Sequence, residues 1–258
     1  MFTKAIVRPP GANFAAGLTT MDLGAPDHAR ALQQHEAYCE ALQRCGLTLT
    51  RLEPDERHPD ATFVEDTAVV TNPFAISTRP GASGRVGEVE SMAPVLSRFY
   101  ARLHFHSIQE PGTLDGGDVC QAEDHFFIGI SERTNEVGAE QLAAWLAAYR
   151  FTSSFVDIRG VKNILHFKSG VAYLGNNRLV VVDALADRNE FQDYDLVRMP
   201  RGEQYAANCL LVNGCVLMAA GYPGFEATLQ ALGYPGIALE MTEFQKMDGG
   251  LSCLSLRF

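Results

Sequence analysis

The stretch Asp248-Gly249-Gly250-Leu251-Ser252-Cys253-Leu254-Ser255-Leu256-Arg257-Phe258 ends the sequence and constrains the fold. Its glycine pair indicates a turn, and the alternating apolar residues after it indicate a short strand. Chain ends fray unless they are hydrogen-bonded to the rest of the fold. We therefore expect this strand to be paired and Cys253 to be a thiol held at its start. The alternative, a cysteine that is only a small buried side chain, is the commoner case and stays open at this point.

Four other stretches have the same form, an opening segment followed by a strand, a turn and a return strand. They open at Phe63-Val64-Glu65-Asp66, Leu114-Asp115-Gly116-Gly117-Asp118, Leu165-His166-Phe167 and Ala206-Ala207-Asn208. Spacings of 50, 51, 42 and 45 residues separate the corresponding positions Glu65, Asp115, His166, Asn208 and Cys253. A repeat of this length predicts stacked or propeller-like units. The return strand for the fifth unit is then Lys4-Ala5-Ile6-Val7, which would close a ring.

Helical patterns fall between the strand pairs, at 27–45, 87–103 and 135–150. The sequence contains no linker and no low-complexity segment. We therefore predict an α/β fold, a five-bladed pseudo-symmetric α/β propeller built from ββαβ units, with residues 1–258 forming a single domain.

Composition restricts the class of partner. The formal net charge is −10, which disfavours a nucleic acid or an anionic membrane as partner and agrees with a small cationic substrate. No apolar run reaches the length of a membrane span, and the N-terminal residues lack a secretory pattern. The six cysteines form no C-x-x-C pair. We expect reduced thiols and a cytoplasmic location.

In a closed ring, the equivalent positions of the units converge on the axis. They would bring together Cys253, His166 and a carboxylate from Asp115 or Asp118, with Asn208 nearby. A cysteine, a histidine and a carboxylate that meet in space are typical of nucleophilic catalysis. Among the histidines, only His166 opens a strand pair.

Charged residues suggest how a ligand is held. Glu65 and Asp66 lie in an apolar segment, where an unpaired carboxylate is costly and a cationic ligand would relieve that cost. For Asp60 alone, a solvated acidic loop is the favoured interpretation. Arg85 and Arg133 follow return strands and are suited to clamping a carboxylate, although exposed loop arginines often have no such role.

These motifs together resemble the dimethylarginine dimethylaminohydrolase family of the pentein superfamily, whose fold is a five-bladed α/β propeller. The resemblance rests on the openings quoted above together with Arg79-Pro80-Gly81, Arg133-Thr134-Asn135, His166-Phe167-Lys168, Ala207-Asn208-Cys209 and the Cys253 tail. It spans essentially the whole chain. It implies a dimethylargininase, a C–N hydrolase acting on linear amidines, that converts Nω-methylated arginines to citrulline and methylamine or dimethylamine.

The resemblance also implies a role for each site residue. Cys253 would be the nucleophile that forms a covalent thiouronium intermediate, His166 the general acid and base, and Asp115 its orienting carboxylate. The implied substrate-binding residues are Leu18 in a lid, Asp60, Glu65 and Asp66 at the cationic part of the substrate, Arg85 and Arg133 at the α-carboxylate, Met247 in the pocket wall, and Phe63. No metal and no cofactor are implied, and a homodimer is an open expectation.

Two alternatives remain open from the sequence. One is arginine deiminase or amidinotransferase chemistry on the same fold, although those families are generally longer. The other is a non-catalytic pentein that acts as a binding protein, against which the cysteine, histidine and aspartate set argues.

Overall fold

The computed structural model describes all 258 residues. Its strands are β1 (Lys4–Val7), β2 (Thr48–Arg51), β3 (Ala68–Val70), β4 (Ala75–Ser77), β5 (Phe105–Ser107), β6 (Val119–Ala122), β7 (His125–Ile130), β8 (Thr152–Asp157), β9 (Val171–Tyr173), β10 (Arg178–Val181), β11 (Asp195–Arg198), β12 (Leu210–Val212), β13 (Cys215–Ala219), β14 (Gly236–Leu239) and β15 (Leu256–Arg257). The α-helices are α1 (His28–Arg44), α2 (Glu88–Leu96), α3 (Glu136–Ala148), α4 (Pro223–Ala231) and α5 (Thr242–Gln245).

The strands form five three-stranded sheets with one recurring topology. In the sheets β3-β4-β5, β6-β7-β8, β12-β13-β14 and β15-β1-β2, the middle strand pairs antiparallel with one neighbour and parallel with the other. The parallel strand follows an α-helix in each of these four sheets, as a parallel crossover requires. In β11-β10-β9, two short 3₁₀ helices replace that α-helix. The predicted ββαβ units are therefore confirmed, one of them without its α-helix.

The chain contacts divide into two compact units, Met1–Val64 with Arg198–Phe258, and Glu65–Val197. The first unit contains the sheets β15-β1-β2 and β12-β13-β14, and its core includes Val7, Tyr38 and Leu217. The second unit contains the remaining three sheets, and part of its core is formed by Ile76, Ile128 and Leu142. Whether residues 1–258 act as one domain stays a prediction.

The two ends of the sequence pair within the first unit. Ala5 lies opposite Arg257 and Ile6 opposite Leu256 in the antiparallel β1–β15 pair. The N–H groups of Thr3 and Lys4 both donate to the carbonyl oxygen of Phe258, at 3.0 and 2.9 Å. The predicted return strand for the C-terminal segment is confirmed.

Two sequence expectations about element boundaries were wrong. Cys253 lies in a 3₁₀ helix, Ser252–Leu254, and the strand begins only at Leu256. The helix expected over 87–103 ends at Leu96. It contains Pro94, which has no N–H to donate, and the chain then turns so that the Tyr100 hydroxyl donates to the carbonyl oxygen of Thr71.

None of the helices has both the length and the apolar character needed to cross a bilayer. The six cysteines form no disulfide.

Candidate active site

A short 3₁₀ helix precedes one outer strand of each of the five sheets. The predicted catalytic residues and two of the predicted substrate-binding acids lie in or beside these helices. The helices are Val64–Thr67, Gly116–Asp118, Phe167–Ser169, Gln204–Ala207 and Ser252–Leu254. Glu65, Asp66 and Cys253 lie inside their helices, whereas Asp115 and His166 come directly before theirs. Turns of this kind place one side chain at a fixed angle at the entrance to a sheet.

In the second unit, His166 and Asp115 form a buried pair. The Nε2 atom of His166 lies 2.9 Å from Oδ2 of Asp115. The other carboxylate oxygen, Oδ1, accepts a hydrogen bond from the Gly81 N–H at 2.9 Å. Asp115 is fully buried and His166 is only 7% exposed. The aspartate therefore fixes the orientation of the imidazole ring, as a general acid or base requires.

The glycines beside this pair are required by close packing. A Cβ on Gly117 would lie 2.9 Å from both the Cγ of His166 and the Oδ1 of Asp66. A Cβ on Gly116 would lie 2.0 Å from the carbonyl oxygen of Glu65. These glycines are therefore points of close approach between neighbouring segments rather than ordinary turns.

Three carboxylates raise the basicity of His166. Burial alone lowers the pKa of this histidine, but the charge of Asp66, the hydrogen bond to Asp115 and the charges of Asp118 and Asp115 outweigh it and raise the pKa to about 9. At neutral pH the ring is therefore an imidazolium, which can donate a proton.

The pKa values of the flanking carboxyl groups are shifted in opposite directions. Burial raises the pKa of Asp118 to about 6, although His166 and hydrogen bonds from Thr134 and Ser131 act in the opposite direction. For Asp66, burial is outweighed by the charges of His166 and Arg85 and by hydrogen bonds from Arg85 and the Gly117 N–H, which lower the pKa to about 2. Asp66 therefore stays ionised well below neutral pH.

Lys168 is a cation to which the sequence alone gave no role. Its Nζ lies 2.6 Å from Oε1 of Glu65, and its side chain is mostly buried. The lysine comes two residues after His166, inside a motif already quoted, so its position was visible in the sequence. Its pairing with Glu65, about a hundred residues earlier, was not.

The two predicted arginines have different surroundings. Arg85 is buried, and its guanidinium donates to Asp66 at 2.6 Å and to Glu88 at 2.8 Å. Arg133 is half-buried and its guanidinium forms no ion pair. Its backbone N–H donates to the Ser131 hydroxyl at 2.9 Å. Arg133 therefore has the guanidinium that is more available to an incoming carboxylate.

Asp66, Asp115 and His166 each offer a donor atom, and these atoms lie within 4.8 Å of one another. They are the residues of this unit best placed to hold a small cation. The His166–Asp115 hydrogen bond already accounts for their close contact, and the expectation of a reaction without metal stays a prediction.

In the first unit, the turn that bears Cys253 is held by Asn208. The Ser252 N–H donates to Oδ1 of Asn208 at 2.9 Å, and Nδ2 of Asn208 donates to the Ser252 hydroxyl at 3.2 Å. A Cβ on Gly250 would lie 2.4 Å from the Cγ of Asn208, so the glycine permits this contact. These bonds compete with strand pairing and account for the 3₁₀ helix at Cys253.

Tyr205 also supports this turn. Its hydroxyl donates to the carbonyl oxygen of Gly249 at 2.8 Å. Burial, together with the charge of Cys253 as a thiolate and of Tyr222, raises the pKa of Tyr205 well above its ordinary value. Cys253 itself is 9% exposed.

The other predicted residues of the first unit cluster around Asp60. Both carboxylate oxygens of Asp60 lie within 3.2 Å of the Leu18 N–H. The Cε of Met247 lies 3.1 Å from where a Cβ on Gly17 would be. Phe63 is 5% exposed and packs with its ring 6.0 Å from that of Phe14, so it contributes to the core. A substrate contact of Phe63 stays a prediction.

The pKa of His166 predicts how stability varies with pH. A histidine has an ordinary value of 6.5, so the folded state, with a value of about 9, holds this proton more tightly. The resulting stabilisation is complete below about pH 6.5 and is lost as the pH rises through about 9; it is worth about 3 kcal/mol. The check is urea unfolding of the wild type and of His166→Gln at about pH 6 and about pH 10.

The difference in unfolding free energy between these two proteins should shrink by about 3 kcal/mol over that range. His125→Gln is the matched control, because burial lowers the pKa of His125, and the wild-type advantage over this variant should therefore not shrink as the pH rises. A wild-type advantage over His166→Gln that is constant with pH would contradict the raised pKa.

Curated relatives match the chain over its whole length. The N(G),N(G)-dimethylarginine dimethylaminohydrolase of Pseudomonas aeruginosa is 45% identical over 258 residues, covering 100% of both chains. The protein of the same name from Streptomyces coelicolor is 35% identical over 257 residues, covering 98% of this chain and 96% of that one. No protein-family model matches.

Solved structures match equally well. A cysteine-to-serine variant of the Pseudomonas aeruginosa enzyme, complexed with citrulline, superimposes with a TM-score of 0.96 at 44% identity over 100% of both chains. A histidine-to-glycine variant of a dimethylarginine dimethylaminohydrolase, as an adduct with S-methyl-L-thiocitrulline, also has a TM-score of 0.96 and 44% identity. The N-terminal domain of ArgZ, an arginine dihydrolase from cyanobacteria, shares the fold at a TM-score of 0.87 and 17% identity, covering 100% of this chain and 97% of that one.

The fold class predicted from the repeat, a five-bladed α/β propeller of the pentein type, is confirmed. Full-length identity of 45% to one relative and 35% to a second is well above the level at which only a fold is shared. The chain belongs to the dimethylarginine dimethylaminohydrolase family.

Proposed function

We propose that this chain hydrolyses Nω-methylated arginines to citrulline and methylamine or dimethylamine. The observation that carries the proposal is the buried His166–Asp115 pair, whose imidazole is protonated at neutral pH because carboxylates surround it. An amine leaving group must accept a proton as it departs, and an imidazolium can supply it. The named activity of the full-length relatives supports the same reaction.

Recognition would use the acidic groups for the cationic end of the substrate. Asp66 is ionised and buried, and Glu65 is buried beside Lys168. Both of them, together with Asp60, would bind the cationic part of the substrate. Arg133, which forms no ion pair, would bind the α-carboxylate together with Arg85. Leu18, Phe63 and Met247 would line the pocket.

The first chemical step forms a covalent intermediate. The thiolate of Cys253 attacks the guanidinium carbon and forms a carbon–sulfur bond. The bond from that carbon to the methylated nitrogen then breaks, and the departing amine takes the proton of His166. The product of this step is an S-alkylthiouronium group on Cys253, with His166 neutral. Asp115 keeps the ring oriented through both proton transfers.

The second step regenerates the enzyme. Neutral His166 accepts a proton from a water molecule, whose oxygen attacks the thiouronium carbon. The carbon–sulfur bond breaks and citrulline leaves, while the second proton of the attacking water passes to solvent, where the amine released in the first step accepts it. Cys253 returns as a thiolate beside a protonated His166. The cycle consumes one water molecule and transfers no electrons. All of its bond-forming and proton-transfer steps use residues of this chain, without a metal or a cofactor.

Three further features belong to the same proposal. Residues 1–258 act as one catalytic domain, in the cytoplasm, on a free small-molecule substrate. The net charge of −10 favours a cationic ligand over a nucleic acid or an anionic membrane. A homodimer is the proposed assembly, to be checked by light scattering.

The test is a citrulline assay with asymmetric dimethylarginine, monomethylarginine and arginine as separate substrates. We expect kcat/KM for the methylated substrates to exceed that for arginine by about 100-fold, which corresponds to about 3 kcal/mol of discrimination. Equal or greater turnover of arginine would favour arginine hydrolysis instead. No citrulline from any of the three substrates would overturn the proposal.

A further inference from the structure

The loop formed by residues 17–24 is held by hydrogen bonds to the segment 246–248, all within the first unit. Asp248 accepts two bonds from Thr20, one from its N–H at 2.5 Å and one from its hydroxyl at 3.0 Å, each to a different carboxylate oxygen. The Thr19 hydroxyl donates to the carbonyl oxygen of Lys246 at 2.8 Å. This loop contains no helix or strand after Gly17, so these bonds account for its position.

The backbone at Asp248 is in the left-handed region, with φ of +57°. Asp248 follows α5, and its N–H bonds back to Gln245 while the Gly249 N–H bonds back to Phe244. This pattern is a Schellman motif, in which the left-handed position usually carries glycine because any side chain is strained there. An aspartate at this position therefore makes the fold less stable than a glycine would. Its carboxylate instead accepts hydrogen bonds from the 17–24 loop.

The hydrogen bonds to Asp248 hold chain segments that contain two proposed substrate contacts, Leu18 and Met247. Leu18, which directly precedes Thr19, donates its N–H to Asp60. Met247 directly precedes Asp248 and approaches Gly17. Leu18, Met21 and Leu23 are 48%, 39% and 46% exposed, so apolar burial contributes little to holding this loop.

We propose that Asp248 is a positioning residue, which latches the 17–24 loop through Thr20 and so keeps Leu18 against Asp60 for substrate binding. It acts through the loop and takes no part in proton transfer or covalent chemistry. The inference rests on the proposed function for its effect on substrate affinity, but the latch itself is independent of that function. Hydrogen bonds to a carboxylate are stronger than bonds between neutral groups, and Asp248 accepts from both donors of Thr20 and, at 3.3 Å, from the Thr19 hydroxyl.

The test uses Asp248→Gly and Asp248→Asn. Glycine removes the carboxylate and relieves the positive φ, so the free energy of unfolding should be unchanged or higher than in the wild type. The KM for dimethylarginine should rise about tenfold, with a smaller change in kcat. Asparagine tolerates the left-handed conformation and keeps one acceptor oxygen, so its KM should lie between the two.

Limited chymotrypsin digestion gives a readout that does not depend on activity. Cleavage at Leu18, Met21 and Leu23 should be about tenfold faster in Asp248→Gly than in the wild type. The matched control is Asp22→Asn. Asp22 lies in the same loop, but its carboxylate makes no hydrogen bond, so this variant should be digested at the same rate as the wild type.

Unchanged KM and unchanged digestion in Asp248→Gly would overturn the proposal. A loss of stability with unchanged digestion would also overturn it, because Asp248 would then be a purely structural residue. Faster loop cleavage in a protein that does not turn over methylarginines would support the latch while the proposed function fails.

Discussion

Replacing Cys253 by serine is expected to lower the rate of citrulline formation by about 10⁴-fold or more. A serine hydroxyl is essentially un-ionised at neutral pH, whereas a cysteine thiol is partly ionised and intrinsically more nucleophilic. The proposed covalent step therefore fails in the variant, while binding remains. The fold should be retained, because Ser252 and Asn208 hold the turn independently of the Cys253 side chain.

Cys215→Ser is the matched control for this substitution, since Cys215 is half-buried at the start of β13 and has no proposed role. It should retain nearly full activity. Titration of dimethylarginine against Cys253→Ser by calorimetry should still show binding. A Cys253→Ser variant that produces citrulline at a rate near that of the wild type would refute the nucleophile assignment.

The second large effect is expected from Asp115→Asn. Asp115 accepts bonds from both His166 and the Gly81 N–H, and an amide offers only one acceptor oxygen for these two donors. The orientation of the ring and the charge that raises its pKa are both weakened. We expect kcat/KM to fall by about 10²- to 10⁴-fold, the range typical of a disabled acid–base group.

The pH profile distinguishes this role from a structural one. In the wild type, kcat/KM should decline on the alkaline side near pH 9, where His166 loses its proton. In Asp115→Asn that decline should move to lower pH, and Asp115→Glu, which keeps the charge, should restore part of the activity. An alkaline limit at the same pH in wild type and Asp115→Asn would show that Asp115 does not control the ionisation of His166.

The local signals in the sequence were sufficient for the repeated strand pairs. Asn213-Gly214 predicts a tight hairpin, and both residues have the positive φ that this turn needs. The pairing of Leu256 with Ile6 followed from the repeat, because one strand was otherwise left without a partner. Features that depend on a few residues close in sequence, or on a repeated spacing, could thus be predicted from the sequence.

Contacts between side chains that are far apart in the sequence could not be predicted from it. The 3₁₀ helix at Cys253 depends on Asn208, and the cation beside Glu65 comes from Lys168. Neither pairing leaves a periodic pattern in the sequence. The latch from Asp248 to Thr20 is of the same kind. The nucleophile role predicted for Cys253 rests on the repeat, which matches it with His166 and a carboxylate, and on the resemblance to a family.

The most direct test of the account is to trap the covalent intermediate. Trypsin releases Cys253 in the peptide Met247–Arg257, which contains no other cysteine. Wild-type protein mixed with dimethylarginine and quenched in acid should show this peptide carrying the amidino adduct, with the mass expected after loss of dimethylamine. Citrulline production with the peptide unmodified throughout, or with the adduct on another residue, would contradict the proposed mechanism.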